Sequence, residues 1–297
     1  MAQITAADVK NLREMTGAGM MDCKKALAEC DGDKDAAVDF LRKKGLSSAS
    51  KKAGRVAAEG MVVALADGDS GVLLEINSET DFSSKNEQFS SFVNSVAALA
   101  LREKPADLDA LKALDLDGSS VDETLVRLIS TIGENMAIRR YELAQVDGGV
   151  VSAYVHGGGK IGVLLGIKGG NSEAVQELGR GVAMHVAAVN PQYITRDEVS
   201  NDAVARERAV LSERAAASGK PENIIDKIVS GQMNKFYSEV CLLEQEYVMD
   251  GDLTVGKAVK AAQADAEVVV MQRFQLGEGI EKKVDDFAAE VAAQING

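Results

Sequence analysis

The sequence predicts an α+β protein, with a small three-helix domain first and then two related subdomains in which an antiparallel sheet carries helices. Three observations lead there. Apolar residues recur at helical spacing between residues 6 and 43, with glycine breaks between the runs. The stretch Gly71-Val-Leu-Leu-Glu-Ile76 returns 91 residues later as Gly162-Val-Leu-Leu-Gly-Ile167. Each copy follows a β-rich run (Met61 to Leu65; Val150 to Val155) and a Gly-rich turn, so each reads as a hairpin followed by helix.

In chain order, helices are expected at Ala6 to Thr16, Met20 to Cys30 and Lys34 to Lys43. Thr5 with Asp8 is an N-cap pair, Gly17 and Gly19 separate the first two helices, and Asp31-Gly-Asp33 separates the second from the third. Gly45 closes the last one. Val9, Leu12, Ala26, Leu27, Ala37, Val38 and Leu41 supply a miniature core, and one of the adjacent Met20 and Met21 is expected to fill it. Phe40 to Ala58 contains no acid, and after Phe40 it has no aromatic on which a base could stack. A solvated basic linker is therefore favoured over an RNA-binding arm.

The first hairpin leads into helices near Glu87 to Arg102 and Val121 to Met136 and a strand near Ile138 to Val146. The second leads into a helix near Ser172 to Ala188, then strands near Ser238 to Leu243 and Glu267 to Leu276 around a helix from Val255. Between them a helical hairpin is inserted. Val204 and Leu211 lie one heptad apart, Gly219 and Pro221 stop and restart the helix, and Ile225, Ile228, Val229, Gln232, Met233 and Phe236 form the opposing stripe. Two projecting helices are not expected to bury both stripes alone, so either a partner or the chain's own body covers them. Phe287, Val291 and Ile295 mark a last amphipathic stretch. The resulting divisions are 1–55, 56–148, 149–190 with 238–276, the inserted 191–237, and 277–297.

Composition limits the function. The 297 residues are 46% hydrophobic, enough for a sizeable core in two or three folding units. The net charge of -13 is uneven. Residues 1 to 55 hold 11 Lys/Arg against 8 Asp/Glu, leaving 22 against 38 elsewhere, which argues against nucleic acid as the main ligand. Cys23, Cys30 and Cys241 lack C-x-x-C spacing and read as reduced thiols. The N-terminus has no signal-peptide pattern and no run of 18 apolar residues occurs, so a cytoplasmic protein that does not span a membrane is expected.

Enzymatic chemistry finds little support. His185 lies in the apolar helical run Ala183-Met-His-Val-Ala-Ala188, the setting of a satisfied buried or interface histidine rather than a base. His156-Gly-Gly-Gly-Lys160 departs from a phosphate loop because Ile161 follows the lysine and strands flank it, so a hairpin turn is the better reading. G-x-S-x-G, H-E-x-x-H and G-x-G-x-x-G are all missing. What stands out is Glu79-Thr-Asp-Phe82 at the end of a strand, before a helix that Ser84 and Glu87 are spaced to cap. Phe82 either folds back on Phe89 or Phe92 while Asp81 serves the helix N-terminus, or the pair projects to enter a partner.

Several of these segments carry a family resemblance. Thr16-Gly-Ala-Gly-Met-Met-Asp-Cys-Lys-Lys-Ala-Leu27 and Glu79-Thr-Asp-Phe82 with Lys85-Asn86 resemble the two signatures of bacterial translation elongation factor Ts. Ile132-Gly-Glu-Asn135, Ile138-Arg-Arg140, His156-Gly, Ile161-Gly-Val163, Ala183 to Ala188, Gly277 to Glu281 and Asp286 to Val291 follow in the family's order along essentially the whole chain. The resemblance implies a first domain similar to ubiquitin-associated modules, a two-part core, a coiled-coil dimerisation hairpin and a C-terminal helical module.

It also implies guanine nucleotide exchange on elongation factor Tu, without covalent chemistry, cofactor, metal or direct nucleotide binding. Thr80, Asp81, Phe82 and Ser83 would dislodge the partner's Mg²⁺. Met20, Met21, Ile132, Gly133 and His156 would bind the partner, and the hairpin could join two copies of the chain. Two departures are Ser83-Ser84 in place of the family's small apolar pair and Lys160 in place of an arginine, which removes a bidentate donor. A binding-only adaptor would leave the Asp81-Phe82 loop without a task, and a nucleotide-using enzyme would lack every part except the His156 turn.

Overall fold

The computed structural model describes residues 4–217 and 221–281. Gly219 and the stretch with Phe287, Val291 and Ile295 lie outside them. The chain divides into two compact units: Met1–Val63 with Leu74–Tyr141 and Gln275–Gly297, and Ala64–Leu73 with Glu142–Phe274.

The first unit opens with α1 (Ala6–Thr16), α2 (Met20–Glu29) and α3 (Lys34–Lys52). Thr5 closes a capping box with Asp8, and Gly17 ends α1 in the left-handed region at φ 66°. Asp33 caps α3 by accepting from the Ala36 amide. Val9, Leu12, Cys23, Ala26, Leu27 and Ala37 are buried together. The expected end of α3 at Lys43 is wrong, and the residues read as a linker are its last turns. Gly45 is buried within the helix, where a Cβ would lie 3.5 Å from Val126 Cγ1. Close packing at Gly45 offsets its poor helix propensity, and the Ser, Ala and Lys residues that follow offer no breaker.

Next come β1 (Glu59–Asp67), β2 (Ser70–Ser78), the single turn α4 (Asp81–Ser84), α5 (Glu87–Glu103), α6 (Leu108–Ala113), the short pair β3 (Asp115–Leu116) and β4 (Ser119–Ser120), α7 (Val121–Ile132) and β5 (Met136–Gln145). Helix α7 stops before Met136 because Gly133 turns left-handed at φ 92°. Strands run in the order β1-β2-β5. Every residue of β2 is buried, Glu75 and Asn77 included, so Val72, Leu73 and Leu74 follow one another without alternating with exposed residues.

In the second unit β6 (Gly149–His156) pairs antiparallel with β7 (Ile161–Lys168), from Gly149 opposite Lys168 to His156 opposite Ile161. Gly157, Gly158 and Gly159 all have positive φ, a turn that only successive glycines adopt without strain, so this is a hairpin turn as expected. The unit continues with α8 (Glu173–Val189), α9 (Asn201–Ala216), α10 (Glu222–Val240), β8 (Glu246–Tyr247), β9 (Asp250–Thr254), α11 (Val255–Ala262) and β10 (Glu267–Gln275).

The second sheet runs β10-β7-β6. The repeated Gly-Val-Leu-Leu segment therefore lies in β2 and β7, each the second strand of a hairpin and each central in its sheet. Side chains of β7, α8 and α11 form the core around Val163, Leu165, Val182, Val186 and Val259.

Two further expectations fail in this unit. Ser238 to Leu243 is not a strand, because α10 runs on to Val240 and a 3-10 turn follows at Leu242–Glu244. There the Arg196 guanidinium lies 4.4 Å from the Tyr237 ring centroid and pairs with Glu244, fixing the helix end. The second, that the hairpin would not bury both stripes alone, fails in part: Leu211, Ala215, Val229 and Met233 of the two stripes bury each other, while Val204, Ile225, Ile228, Phe236 and Tyr237 pack against this seam only partly buried.

Candidate functional site

The loop leaving β2 is braced by an exchange of carboxylates. The Thr80 amide and hydroxyl donate to Glu134 Oε2 and Oε1 at 3.0 and 2.7 Å. In return the Asn135 amide donates to Glu79 Oε1 at 2.5 Å, and Asn135 Nδ2 donates to the Arg55 carbonyl at 2.7 Å. Each segment's glutamate thus accepts from the other's backbone, with charge-assisted bonds on both sides. Gly133 makes this geometry accessible by reversing the chain at the end of α7.

Beyond the brace, Asp81–Ser84 forms one helical turn. The expected Ser84–Glu87 capping box is not made. Ser84 Oγ donates to the Asp81 carbonyl at 2.7 Å, and Asn86 caps α5 by accepting from the Gln88 and Phe89 amides. Asn is as good a cap as Ser, and α5 begins at Glu87, as expected. Phe89 and Phe92 are buried, whereas Phe82 is 78% exposed. The back-folded alternative for Phe82 therefore fails. Ser83 points inward, while Lys85 pairs with Asp81 at 2.9 Å and lies 5.7 Å from the Phe82 ring centroid. Leaving a phenylalanine in water forgoes about 1.5–3 kcal/mol that burial would give.

Met20 and Met21, at the start of α2, are 58% and 74% exposed. Neither fills the helical core as expected, because Cys23, Ala26 and Leu27 take the inward positions at i, i+3 and i+4. Met15 is also exposed nearby in sequence, a thioether that the reading of motifs passed over. The Gly17 carbonyl between α1 and α2 accepts from Thr131 Oγ1 at 3.4 Å. Ile132 is half-buried and Gly133 exposed.

The first unit thus contains Met20, Met21, Thr80 to Ser83, Ile132 and Gly133. His156 belongs to the second unit, at the end of β6, where its Nδ1 lies 3.0 Å from the Tyr154 hydroxyl. Glu79, Glu134 and Asn135, which form the brace, are not among the expected site residues. They lie in Glu79-Thr-Asp-Phe82 and Ile132-Gly-Glu-Asn135, two segments whose contact no local pattern reveals.

Buried titratable groups lie in the second unit, among them His185 and Cys241. His185 is buried, its Nε2–H donates to Gln245 Oε1 at 2.8 Å, and its Nδ1 accepts from the Val248 amide at 3.3 Å. Burial lowers its pKa, with the Gln245 bond opposing that shift in part. Burial pushes the Cys241 thiol up to about 11, away from thiolate chemistry. Among the described residues no group of three or more His, Cys, Asp or Glu could hold a metal ion. Among them, too, no helix is long and apolar enough to cross a membrane.

A braced turn offering one aromatic ring, together with exposed methionines on an α+β scaffold, presents side chains of the kind that suit contact with another protein. Residues 79–278 match the family model described as Elongation factor TS. The chain is 54% identical to the Elongation factor Ts of Magnetococcus marinus, with 99% of each chain covered. Against that of Syntrophotalea carbinolica it is 55% identical over 98% of this chain and 99% of the relative. Against that of Rhodospirillum rubrum it is 52% identical over 99% of both. The chain belongs to the Elongation factor TS family and is a translation elongation factor.

Proposed function

We propose that this chain is a guanine nucleotide exchange factor for elongation factor Tu, acting in the bacterial cytosol. It binds the GDP complex, disturbs the partner's Mg²⁺ and phosphate site and releases GDP. The observation that carries this reading is Phe82, held 78% exposed on a turn whose entry is braced by Glu134.

Asp81 and Phe82 act as the wedge, with Thr80 and Ser83 shaping the turn. Met20, Met21, Ile132, Gly133 and His156 supply anchoring contacts. Residues 1–55 serve as the docking domain, and 277–297 as a further contact module. The two core subdomains, 56–148 and 149–190 with 238–276, carry these contacts, and 191–237 is the inserted hairpin. Self-association through that hairpin would use surface outside its closed seam, where Val210 is exposed.

The mechanism is linkage. An exchanger that binds the distorted nucleotide site better than the relaxed one lowers GDP affinity, and GDP lowers its affinity by the same factor. GTP then displaces it. No bond is made or broken. The test is factor Tu preloaded with fluorescent GDP: added chain should accelerate loss of the label while the released nucleotide remains GDP. Unchanged release would reject exchange, and conversion of the nucleotide would indicate an enzyme instead.

A further inference from the structure

The turn that carries Phe82 is too short to hold itself. It has four residues, and isolated helices need about 12–15 to be even marginal in water. Thr80 stands at its N-cap position, where a threonine hydroxyl ordinarily accepts from the first-turn amides. Here it makes no such cap. Its hydroxyl is donated to Glu134 at 2.7 Å, and its amide to the other oxygen of the same carboxylate. The turn is therefore oriented from outside, by a residue of the segment after α7.

We propose that Glu134 is a positioning residue for nucleotide exchange: by gripping Thr80 at two atoms it fixes where Asp81 and Phe82 stand before the partner arrives. The inference rests on the wedge reading of Phe82 and adds to it the device that aims the wedge. Glu134 itself stands in place because Gly133 reverses the chain and Asn135 is tied to Glu79 and Arg55. The chemistry suits the task. One carboxylate receiving two donors from a single residue fixes both position and rotation of the loop, which a single neutral bond does not. Pre-ordering removes an entropy cost that a loose wedge would meet on entering the nucleotide site. Of the proposed anchoring contacts, Met20, Met21 and His156 lie on other segments and the backbone turn at Gly133 does not depend on the Glu134 side chain, so the effect is expected at the release step.

The experiment uses the full chain and factor Tu preloaded with fluorescent GDP. Glu134→Ala should lower the maximal release rate about tenfold, equivalent to ~1.4 kcal/mol, while the half-saturating concentration and binding to nucleotide-free factor Tu stay within about twofold. Thr80→Val, which removes only the hydroxyl, should show a smaller loss of the same kind, and Glu134→Gln an intermediate one. In a Phe82→Ala background the Glu134→Ala substitution should add almost nothing.

A purely structural role would not give this split, since a destabilised body would lose affinity along with rate. Equal losses of rate and affinity, or an undiminished Glu134 effect without Phe82, would overturn the proposal. If Phe82→Ala is slow and both Glu134→Ala and Thr80→Val are fast, the wedge stands and the positioning role alone falls. If Phe82→Ala itself releases GDP at the full rate, the wedge reading falls and the proposal with it.

Discussion

The Gly277 amide donates to Glu75 Oε1 at 2.8 Å, tying the end of the last strand to a buried carboxylate of β2. Arg139 and Arg140 of β5 complete the cluster by pairing with the same carboxylate, and their guanidinium groups also reach the carbonyls of Glu278 and Gln275. In the repeated segment the corresponding residue is Gly166, where a Cβ would lie 2.6 Å from Val146 Cγ2 and no side chain fits. One copy of the motif thus uses this position as a charged latch and the other as a close contact.

The latch makes stability depend on pH in a defined direction. Burial acts to raise the Glu75 pKa, but the Gly277 amide, Arg140, Asn77 and Arg139 outweigh it and hold the carboxyl below its ordinary value. A depressed carboxylate stabilises fully above its unfolded pKa of about 4.3 and loses that contribution as pH falls through the lower folded value. Removing one member of a buried ion pair costs about 3–5 kcal/mol, and the partial exposure of both arginines places Glu75→Gln at the lower end. Urea unfolding at pH 7 should show this deficit, and it should shrink as pH is lowered past 4. A deficit that persists unchanged at pH 3 would contradict the assignment.

His185 predicts a second pH dependence at a higher value. Its folded pKa is depressed, so the folded state binds fewer protons than the unfolded one below about 6.5. Stability is then complete above that pH and declines as pH falls towards the folded value. The thermal midpoint should drop between pH 7.5 and 5.5, and His185→Gln should flatten that slope. An equally steep slope in the variant would move the origin to other groups.

Phe82→Ala should slow GDP release about 30-fold, the lower end expected for truncating an anchoring aromatic. Its thermal midpoint should stay close to that of the parent, because the ring is exposed and the Asn86 cap of α5 is untouched. A sharp loss of stability with exchange intact would return Phe82 to the core.

Gly45→Ala should stabilise the first unit. A methyl group would sit 3.5 Å from Val126 Cγ1, an ordinary contact, and the helix gains up to about 1 kcal/mol of propensity. Gly45→Leu should destabilise by forcing α3 and α7 apart. Thermal denaturation of the two variants should give shifts of opposite sign, and two destabilised proteins would show that the contact has no spare room.

Deleting the α9–α10 hairpin should leave the body folded, since its seam is a separate apolar cluster from the core of the second unit. Circular dichroism should then show lower helix content with a retained cooperative transition. If light scattering also reports a smaller species, the hairpin joins two copies. Insoluble protein would place the hairpin in the folding core.

The sequence by itself determined the elements whose signals are local. Capping pairs such as Thr5 with Asp8, glycine stops, the period of the α2 core face and the Gly-Val-Leu-Leu recurrence each depend on neighbours within a turn or a hairpin. It also singled out Asp81 and Phe82 as the residues to watch. Tertiary structure decided what local chemistry leaves open. Gly45 ends a helix in isolation but continues one when Val126 packs over it. Phe82 could have been core or surface, and the fold leaves it exposed while Phe89 and Phe92 fill the interior. Glu134 is an unremarkable acid in sequence, and its bonds to Thr80, 54 residues away, exist only in the fold. Spacing rules act over a few residues, whereas burial and long-range hydrogen bonds arise only when distant segments meet.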